Sequence, residues 1–545
     1  MIGPLRGAWV SKVAGSLRER AEDAAMLGRL GRDLPRYLRR PLTVEEARRR
    51  VRLGVERREQ RFLALMDRAV YGHPGSPYRA LLGHVGCERG DLHALVAREG
   101  LEPALRHLAG LGVFVSFEEL KGRRAAVRGS ARFAFSERDF DNPLEPSCYV
   151  ELTGGSRGRP TRVGRSLGAV TDMAASFALA LEAHGVASPR AFFWNGVGLS
   201  WAFVHLKLGN PIERWLYPVD PLPRLARLAH GYVTVLARLA GSRLPPLAYC
   251  DVQEPERVVD GLVGLGPGRR PIVVNSTASS AVRVASAAVS MGRPLRGVTF
   301  HTRSEPLTRT RWRAIEESGA RALPDYASVE LSSIAYACGA GVDADDMHLN
   351  VDRYAAIERE RAIFEGGPHV DALLFSTLGP HAPKIALNVE LGDSARLERR
   401  ACGCSLGALG LTTHLAGIRS FEKLSSEGTS FARSNLIQIL EEVLPARFGG
   451  SAVDYQVVEE EGPDGSTLLV LRVHPRVGEA DEEALRAALL RELGRGGLVD
   501  EYQVELLRRS SSIVVRRLPP LTTRAGKVLP FHLARTTAVD GAVRA

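Results

Sequence analysis

A loop of small and hydroxylated residues is the part of the sequence that most directly suggests chemistry. It covers residues 153–161 and follows the apolar residues Cys148, Tyr149 and Val150. Glycine lets backbone amides approach an anion, while hydroxyl and guanidinium groups add donors and positive charge. The loop therefore predicts a phosphate site, and an ordinary surface turn is the alternative. The predicted phosphate-binding residues are Thr153, Gly154, Gly155, Ser156, Arg157, Gly158, Arg159, Pro160 and Thr161.

Cysteine and histidine residues form a second candidate group. Cys402 and Cys404 flank a single glycine, and this spacing suits two thiolate ligands of one metal ion. Cys338 and His348 lie upstream and would complete a tetrahedral Cys₃His zinc site, which would be structural because all four ligands come from the protein. Free cysteines and a surface histidine are the alternative interpretation.

Several segments, taken in chain order, resemble those of the adenylate-forming ligases, and in particular the phenylacetate-CoA ligase branch. The loop at 153–161 resembles the Thr-Ser-Gly-Ser/Thr-Thr-Gly-x-Pro motif and differs from the P-loop of NTPases, which ends in Gly-Lys-Ser/Thr. Residues 304–306 and 325–330 resemble the two adenylate-site motifs, and residues 521–528 resemble the C-terminal Thr-x-x-Gly-Lys segment. Phe117 to Gly122 also resembles this branch, so the likeness covers most of the chain.

The resemblance implies a role for each motif. Asp393 would bind the ribose, Arg419 would mark the start of the hinge between domains, and Glu330 would hold Mg²⁺ shared with phosphate oxygens. Lys527 would be the catalytic lysine, since an ammonium on a flexible stem can neutralise charge that builds up as pyrophosphate leaves. The residues implied to frame the adenine are Ser304, Glu305, Pro306, Asp325, Tyr326, Ala327 and Ser328. The stretch that ends at His348 resembles the segment that carries the zinc histidine in some relatives.

The sequence also departs from the family pattern. Val389-Glu390-Leu391 replaces the usual Tyr-Arg-Thr before Gly392-Asp393, Phe421 stands where the hinge aspartate belongs, and Arg157 replaces a loop hydroxyl. These changes bear on ribose contact, on hinge rotation and on the second half-reaction.

Composition narrows the class of protein. The chain has 545 residues, 45% hydrophobic, and its six cysteines are too few for a disulfide scaffold. No signal peptide or membrane span is evident, so a cytoplasmic protein without membrane contact is expected. Lysine and arginine number 73 against 62 acids, but the arginines are scattered between acids and lack interleaved aromatics. The sequence therefore predicts no nucleic-acid partner.

Patterns along the chain predict an α/β protein with three parts. A helical leader covers residues 1–110, and it includes one long helix that begins at the capping box Thr43–Glu46 and ends at Gly72. A large adenylation domain covers 111–418, with strands at 191–194, 271–274 and 297–300 and a linker at 261–268. A small, mobile α+β domain covers 419–545 and contains a hairpin and a helix at 481–493.

The resemblance as a whole implies an AMP-forming carboxylate ligase that uses ATP and Mg²⁺. It would form an acyl-adenylate from an acid, expected to be aromatic, and then a thioester with coenzyme A. One alternative is transfer to a carrier-protein thiol or an amine, and another is a non-catalytic adenylate fold. A structural Zn²⁺ and a homodimer are compatible with this interpretation. The apolar slot for the acid would lie between Trp194 and Trp201.

Overall fold

The computed structural model describes residues 17–533, apart from 153–161, 197, 219–221, 223, 267–269, 342, 363–368, 421–422, 427–428, 433–435, 437, 452–453, 463–466, 497 and 522–530. The phosphate-loop residues, Lys527 and Phe421 therefore lie outside the described residues. Among the described helices, none combines the length and apolar character of a membrane span.

The leader is helical over its described length. Its helices are α1 (Leu17–Leu38), α2 (Val44–Glu56), α3 (Arg58–Met66), α4 (Pro77–His84), α5 (Arg89–Glu99) and α6 (Leu101–Gly110). Thr43 caps α2 as expected, because its Oγ1 accepts a hydrogen bond of 3.1 Å from the Glu46 amide. The single long helix predicted to follow is wrong in one respect, because the helix breaks at Arg57 and α3 starts at Arg58.

The centre of the molecule is a twelve-stranded mixed sheet. Its strands, in chain order, are β5 (Arg190–Trp194), β6 (Ile212–Tyr217), β7 (Leu247–Tyr249), β8 (Ile272–Thr277), β9 (Val298–Arg303), β10 (Arg321–Ser328), β11 (Ser332–Tyr336), β12 (Met347–Leu349), β13 (Tyr354–Ala362), β14 (His369–Thr377), β15 (Val389–Arg399) and β16 (Thr413–Ser420). The spatial order is 13-14-15-16-12-11-10-9-8-5-6-7. Strands β10, β9, β8, β5, β6 and β7 run parallel to one another. The pairing of β10 with β11 and the pairs among β11 to β16 are antiparallel.

Helices cover both faces of the parallel half of this sheet. They are α8 (Leu167–Ala183), α9 (Leu199–Lys207), α10 (Arg224–Leu239), α11 (Pro255–Gly264), α12 (Ala278–Ser290) and α13 (Arg309–Glu317), and the short α7 (Phe117–Leu120) and α14 (Ser405–Ala408) lie elsewhere. Successive side chains of β5 point to opposite faces of the sheet and so enter two different hydrophobic cores. Phe193 belongs to the core shared with the leader, and Phe192 and Trp194 belong to the core under α11 and α12. Residues 261–264, predicted as linker, instead end α11.

Two short hairpins flank the large sheet, one formed by β1 (Ala126–Arg128) and β2 (Ala131–Phe133) and one by β3 (Tyr149–Leu152) and β4 (Arg162–Arg165). The residues of β3 and β4 pair antiparallel from Tyr149↔Arg165 to Leu152↔Arg162. The stem of the predicted phosphate loop is therefore fixed on both sides.

The C-terminal part forms a smaller α+β domain with its own core. It contains the pair β17 (Lys423–Ser426) and β18 (Thr429–Ala432), a sheet of β19 (Tyr455–Glu461), β20 (Thr467–Val473), β21 (Ile513–Arg516) and β22 (Phe531–Leu533), and the helices α15 (Leu444–Phe448), α16 (Glu482–Leu493) and α17 (Leu498–Ser510). The predicted hairpin is β19–β20, and Asp481 caps the predicted helix α16. The predicted boundary at 418 falls inside β16, which stays in the large sheet to Ser420.

Candidate functional site

Residues of the predicted adenylate motifs gather where the parallel strands β9 and β10 end. Ser304 follows β9 directly, Tyr326 lies near the end of β10, and Glu330 follows the turn after it. Ligands of α/β sheets bind at the carboxyl ends of parallel strands, where the loops open a crevice. The fold thus places these motifs at the edge of the sheet where a ligand site is expected.

Two of the predicted nucleotide-binding residues contact each other directly. The Tyr326 hydroxyl donates a hydrogen bond of 2.8 Å to Oδ2 of Asp393, although the two residues are 67 positions apart in sequence. Asp393 lies on β15 opposite Ser420, whose hydroxyl donates to the carbonyl of Gly392. Burial is the main cause that raises the pKa of Tyr326, and the negative charge of Asp393 adds to it, so the phenol remains the donor. The pair presents one half-buried carboxylate in a defined orientation.

Arg165 connects the stem of the phosphate loop to the Glu330 turn. Its side chain is almost fully buried and forms an ion pair of 2.8 Å with Glu151 on the partner strand. The same guanidinium donates to the carbonyl of Val329 at 2.7 Å and to the hydroxyl of Ser332. The loop ends are therefore held beside the residues on each side of Glu330.

Glu330 has a buried partner that the sequence analysis did not identify. The Lys121 ammonium lies 2.6 Å from Oε1 of Glu330 and 2.8 Å from Oε1 of Glu137, and its side chain is only 3% exposed. Lys121 follows α7, and its contact with Glu330 exists only in the folded chain. The carboxylate type suits Mg²⁺, but the position of a cation at Oε1 is already held by an ammonium. A metal role for Glu330 accordingly stays a prediction.

The Ser304-Glu305-Pro306 turn has an unusual backbone and a carboxylate that is already engaged. Ser304 has a φ of 70°, which is rare for a residue other than glycine and is found often at functional sites. The Glu305 carboxylate accepts from the amide of Ser279 at 2.7 Å and from its hydroxyl at 3.0 Å, in the first turn of α12. It also lies 3.7 Å from the buried Arg311. Any contact of this turn with a base would therefore come from its backbone and Ser304.

The other predicted adenine residues have simple positions. Ala327 is exposed at the irregularity in pairing between β10 and β11, and the Ser328 hydroxyl accepts a hydrogen bond of 3.0 Å from the Leu331 amide. Pro306 provides a carbonyl that accepts from Arg311 at 2.9 Å. Of these residues, only Ala327 presents an open surface.

A buried chain of polar side chains lies beneath the strand ends. It links His205 to Asn275 and Asn275 to His301, both at 3.0 Å, and it continues from His301 to Asp325 at 3.4 Å. Burial raises the pKa of Asp325 to about 7 against the opposing charge of Arg303, and burial lowers the pKa of His301. Sequence analysis did not predict this chain. Its signal in the sequence is a polar residue within each of three apolar strands.

The tryptophans of the predicted acyl slot are both buried. Trp194 donates its indole N–H to the carbonyl of Cys250, so it belongs to the core under α11. Trp201 packs on His301 with the ring centres 4.3 Å apart, and the Arg303 guanidinium lies 4.8 Å from its ring. Trp201 is therefore the one of the two that contacts the end of β9, and Trp194 ends β5.

The four predicted zinc ligands come together. The potential ligand atoms of Cys338, His348, Cys402 and Cys404 all lie within 4.8 Å of one another. The Nε2 of His348 is 3.4 Å from the Cys402 sulfur and 3.3 Å from the Cys404 sulfur, and the Cys338 and Cys402 sulfurs are 4.0 Å apart. Tetrahedral zinc with bonds of about 2.3 Å to sulfur and 2.0 Å to nitrogen requires separations of about 3.8 and 3.5 Å. The cluster therefore fits a zinc ion.

Atoms around the cluster orient these ligands. The Nδ1 of His348 donates to the carbonyl of Leu411 at 2.5 Å, which leaves Nε2 to face the sulfurs. The amide of Gly407 donates to the Cys404 sulfur at 3.3 Å. The cluster joins the end of β11 to the segment between β15 and β16.

Arg419 is bonded to the segment that precedes β12. Its guanidinium pairs with Asp345 at 3.0 Å, and the same carboxylate accepts from the Gly417 amide at 3.2 Å. Arg419 is therefore a residue of strand β16, and any hinge between the domains would begin after Ser420.

Comparisons with known proteins give only distant likenesses. No protein-family profile matches the chain, and no curated protein matches it. Among solved structures, the chain is similar to a 2-hydroxyisobutyryl-CoA ligase in complex with an adenylate and coenzyme A, at 16% identity and a TM-score of 0.48, with 96% of this chain and 91% of that chain covered.

Two other solved structures have lower scores. An amide bond synthetase from Marinactinospora thermotolerans is 14% identical with a TM-score of 0.39, and 88% of this chain and 97% of that chain are covered. An o-succinylbenzoate CoA synthetase from Bacillus subtilis is 13% identical with a TM-score of 0.39, and the coverages are 70% and 68%. At this level of likeness no activity follows from the resemblance.

Proposed function

We propose that the protein is an ATP-dependent carboxylate-activating ligase. In the first step an oxygen of the substrate carboxylate attacks the α-phosphorus of ATP, and pyrophosphate leaves. In the second step a thiolate attacks the acyl carbon, and AMP leaves. The observation that carries the proposal is the Tyr326–Asp393 hydrogen bond, which joins two predicted nucleotide motifs. Arg165, in the stem of the predicted phosphate loop, donates to the carbonyl of Val329, three residues after Tyr326.

Asp393 and Tyr326 would bind the sugar of the nucleotide. A carboxylate accepts hydrogen bonds from both hydroxyls of a ribose, and a fixed donor on one of its oxygens sets the direction of the other. The Tyr326 ring and the turn at Ser304 lie at the same strand ends and would contact the base. Such positioning holds two anionic reactants in line, which is the main demand of phosphoryl chemistry.

Charge near the phosphates would come from the loop and from the Glu330 region. The loop contributes Arg157 and Arg159 by sequence, and Lys121 lies beside Glu330 at 2.6 Å. Mg²⁺ would neutralise the phosphate oxygens, and Glu330 would have to exchange the Lys121 ammonium for it. Lys527 is the proposed catalytic lysine, and the C-terminal domain that carries it would rotate after the first step.

The Cys₃His cluster would hold a structural zinc ion. Four protein ligands leave no position for substrate, so the metal would serve as a cross-link between loops rather than in catalysis. Those loops lead into β12 and β16, and β16 pairs with the strand that carries Asp393.

The acid is proposed to be aromatic and the acceptor to be coenzyme A, both on the sequence resemblance. A carrier-protein thiol or an amine is the alternative acceptor, and the distant structural likenesses, which include CoA ligases and an amide bond synthetase, do not separate the two. The proposed location is the cytoplasm.

A non-catalytic binding protein is a second candidate because of Glu390. This residue stands where the family has an arginine, and its fully buried side chain pairs with Arg361 and lies 4.0 Å from Arg359. A position that would carry positive charge near the nucleotide in relatives is thus a neutralised carboxylate here.

Pyrophosphate release with Mg-ATP tests these alternatives. It would be measured across a panel of aryl and aliphatic acids with hydroxylamine to trap the adenylate, for the wild type and for Asp393→Ala and Lys527→Ala. Asp371→Ala is the matched control, because Asp371 is an exposed aspartate on β14.

Turnover with one acid that Asp393→Ala and Lys527→Ala lose and Asp371→Ala keeps supports the ligase. ATP binding without turnover for any acid supports the non-catalytic protein. With an active acid, mass spectrometry of products formed with free coenzyme A or with added amines identifies the acceptor.

A further inference from the structure

Helix α10 exposes a row of large apolar side chains to solvent. They are Leu225 (72% exposed), Leu228 (70%), Tyr232 (37%), Val235 (56%) and Leu239 (59%). Their separations alternate between three and four residues, which is the a and d pattern of a heptad repeat. Single exposed leucines are common, but a continuous apolar row along one helix indicates a binding surface.

The core does not account for this row, because α10 has a second apolar face for that purpose. His230, Val233, Leu236 and Ala237 are buried against the domain. A surface helix needs only one apolar stripe to dock on its own protein. Apart from Tyr232, which contacts α1, the exposed row therefore has no packing role within the described part of the chain.

Helix α1 lies beside α10 and completes a shallow groove. The Tyr232 hydroxyl donates to the carbonyl of Leu27 at 2.9 Å, and the Arg39 guanidinium donates to the carbonyl of Leu239 at 2.9 Å. Leu27 is 48% exposed, and a Cβ added at Gly28 would meet no atom within 4 Å. We call the surface formed by the five apolar residues of α10 with Leu27 and Gly28 the α1–α10 groove.

The charges around the α1–α10 groove are positive. Arg224, Arg227 and Arg238 on α10 and Arg243 just after it are exposed, and they have no ion pair within the described residues. The other ionisable groups of α10 are His230 and the phenol of Tyr232, so the helix carries no acid.

Three acids of α1 whose side chains are described, Glu22, Asp23 and Asp33, do not offset these arginines, because they are paired elsewhere. Glu22 lies 3.7 Å from Arg138, and Asp23 pairs with Arg162. Asp33 forms an ion pair of 2.8 Å with its neighbour Arg32. The rim of the groove therefore keeps a net positive charge.

We propose that the α1–α10 groove binds an acidic amphipathic helix of a partner protein. Leucine-type side chains of that helix would interlock with the a and d residues of α10, and its flanking carboxylates would pair with the arginines. Electrostatic complementarity of this kind accelerates association and selects the partner. The inference does not depend on the proposed ligase activity.

Charge argues against two other occupants. A second copy of the chain would bring the same arginines to face Arg224, Arg227 and Arg238. Residues 1–16, which lie outside the described residues, contain Arg6 and Lys12 and no acid. Neither supplies the negative charge that the rim calls for.

The test uses the full-length protein and a labelled synthetic helix of about three heptads, with leucine at a and d and glutamate at e and g. Fluorescence anisotropy would measure its affinity for the wild type, for Leu228→Glu and for Val289→Glu. Val289 is the matched control because it is an apolar residue on α12 that is 51% exposed. We expect at least a tenfold loss of affinity in Leu228→Glu, no change in Val289→Glu, and weaker binding as salt is raised.

Charge reversal and three further measurements complete the test. Arg224→Glu combined with Arg238→Glu should weaken the glutamate peptide tenfold and create binding of a lysine peptide of the same design. Equal binding of both peptides by the wild type, or an unchanged affinity in Leu228→Glu, would overturn the proposal.

The other occupants each predict a distinct result, and each of these results would also overturn it. If the wild type sediments as a dimer and Leu228→Glu sediments as a monomer, the occupant of the groove is a second copy of the chain. Binding to phosphatidylglycerol vesicles without peptide binding would identify a lipid surface. Peptide binding that appears only after deletion of residues 1–16 would identify that segment as the occupant.

Discussion

Removal of one ligand from the Cys₃His cluster should release zinc and destabilise the large domain. The cluster connects Cys338 to Cys402, which are 64 positions apart, so a bound ion closes a long loop. Treated as a cross-link, closure of a loop of that length stabilises the fold by about 4 kcal/mol. For a domain of about 300 residues this free energy corresponds to a fall in melting temperature of roughly 6 °C. We therefore expect Cys402→Ser to lower the melting temperature by that amount.

The assay combines metal analysis with thermal unfolding. Wild-type protein purified without added metal should carry about one zinc per chain, and Cys402→Ser should carry much less. Cys87→Ser is the control, because Cys87 is half-buried but lies outside the cluster. A chelator should lower the melting temperature of the wild type and of Cys87→Ser but change that of Cys402→Ser little. Wild-type protein without zinc, or equal melting temperatures for Cys402→Ser and the wild type, would refute the reasoning.

Three other substitutions have outcomes that the contacts predict. Tyr326→Phe removes a donor to a carboxylate, worth about 1.5 to 3 kcal/mol, so the KM for ATP in steady-state kinetics should rise at least tenfold; an unchanged KM would contradict a ribose role for Asp393. Lys121→Met leaves buried carboxylates without their cation and should lower the free energy of unfolding, measured in urea, by about 3 kcal/mol. Addition of Glu330→Gln should restore part of this free energy, and additive losses in the double variant would exclude the pairing. Burial raises the pKa of Asp325 from 3.8 to about 7, so the folded state binds the proton more tightly and the melting temperature of the wild type should fall as the pH rises between those values. Asp325→Asn should flatten this fall, and parallel pH profiles of the melting temperature for the two proteins would contradict the raised pKa.

Sequence patterns predicted the elements whose signals are local. Strands β5, β8 and β9 are short apolar runs between breakers, and the Thr43 cap follows from hydroxyl and carboxylate spacing alone. The predicted linker at 261–268 is wrong for residues 261–264, because Gly261 and Gly264 lie in the last turns of α11, where Gly261 packs on the Phe192 ring. The sequence alone does not distinguish a glycine that makes room for an aromatic side chain from a glycine that ends a helix.

The candidate site was less accessible to sequence reasoning because its decisive contacts are distant in sequence. The Cys402-Gly403-Cys404 spacing is a local signal, and Cys338 and His348 could be added to it only by ligand type and family resemblance. Lys121 has no motif that assigns it to Glu330, because the pair is created by packing of α7 near the end of β10. The same holds for Asn275 and His301, which directly follow the predicted strands 271–274 and 297–300 and were not named by sequence analysis.

The separate core of the C-terminal domain has a consequence for how the chain melts. Most buried apolar residues of β19, β20, α16 and α17 form a cluster of their own, distinct from the two clusters that cover the faces of the large sheet, and Leu506 of α17 packs on Val252. Units with independent cores unfold with independent cooperativity, so a calorimetric scan should resolve more than one transition rather than a single two-state step. Loss of metal from the cysteines should lower the temperature of only the transition that belongs to the large sheet. The transition of the C-terminal domain is then an internal reference within the same molecule.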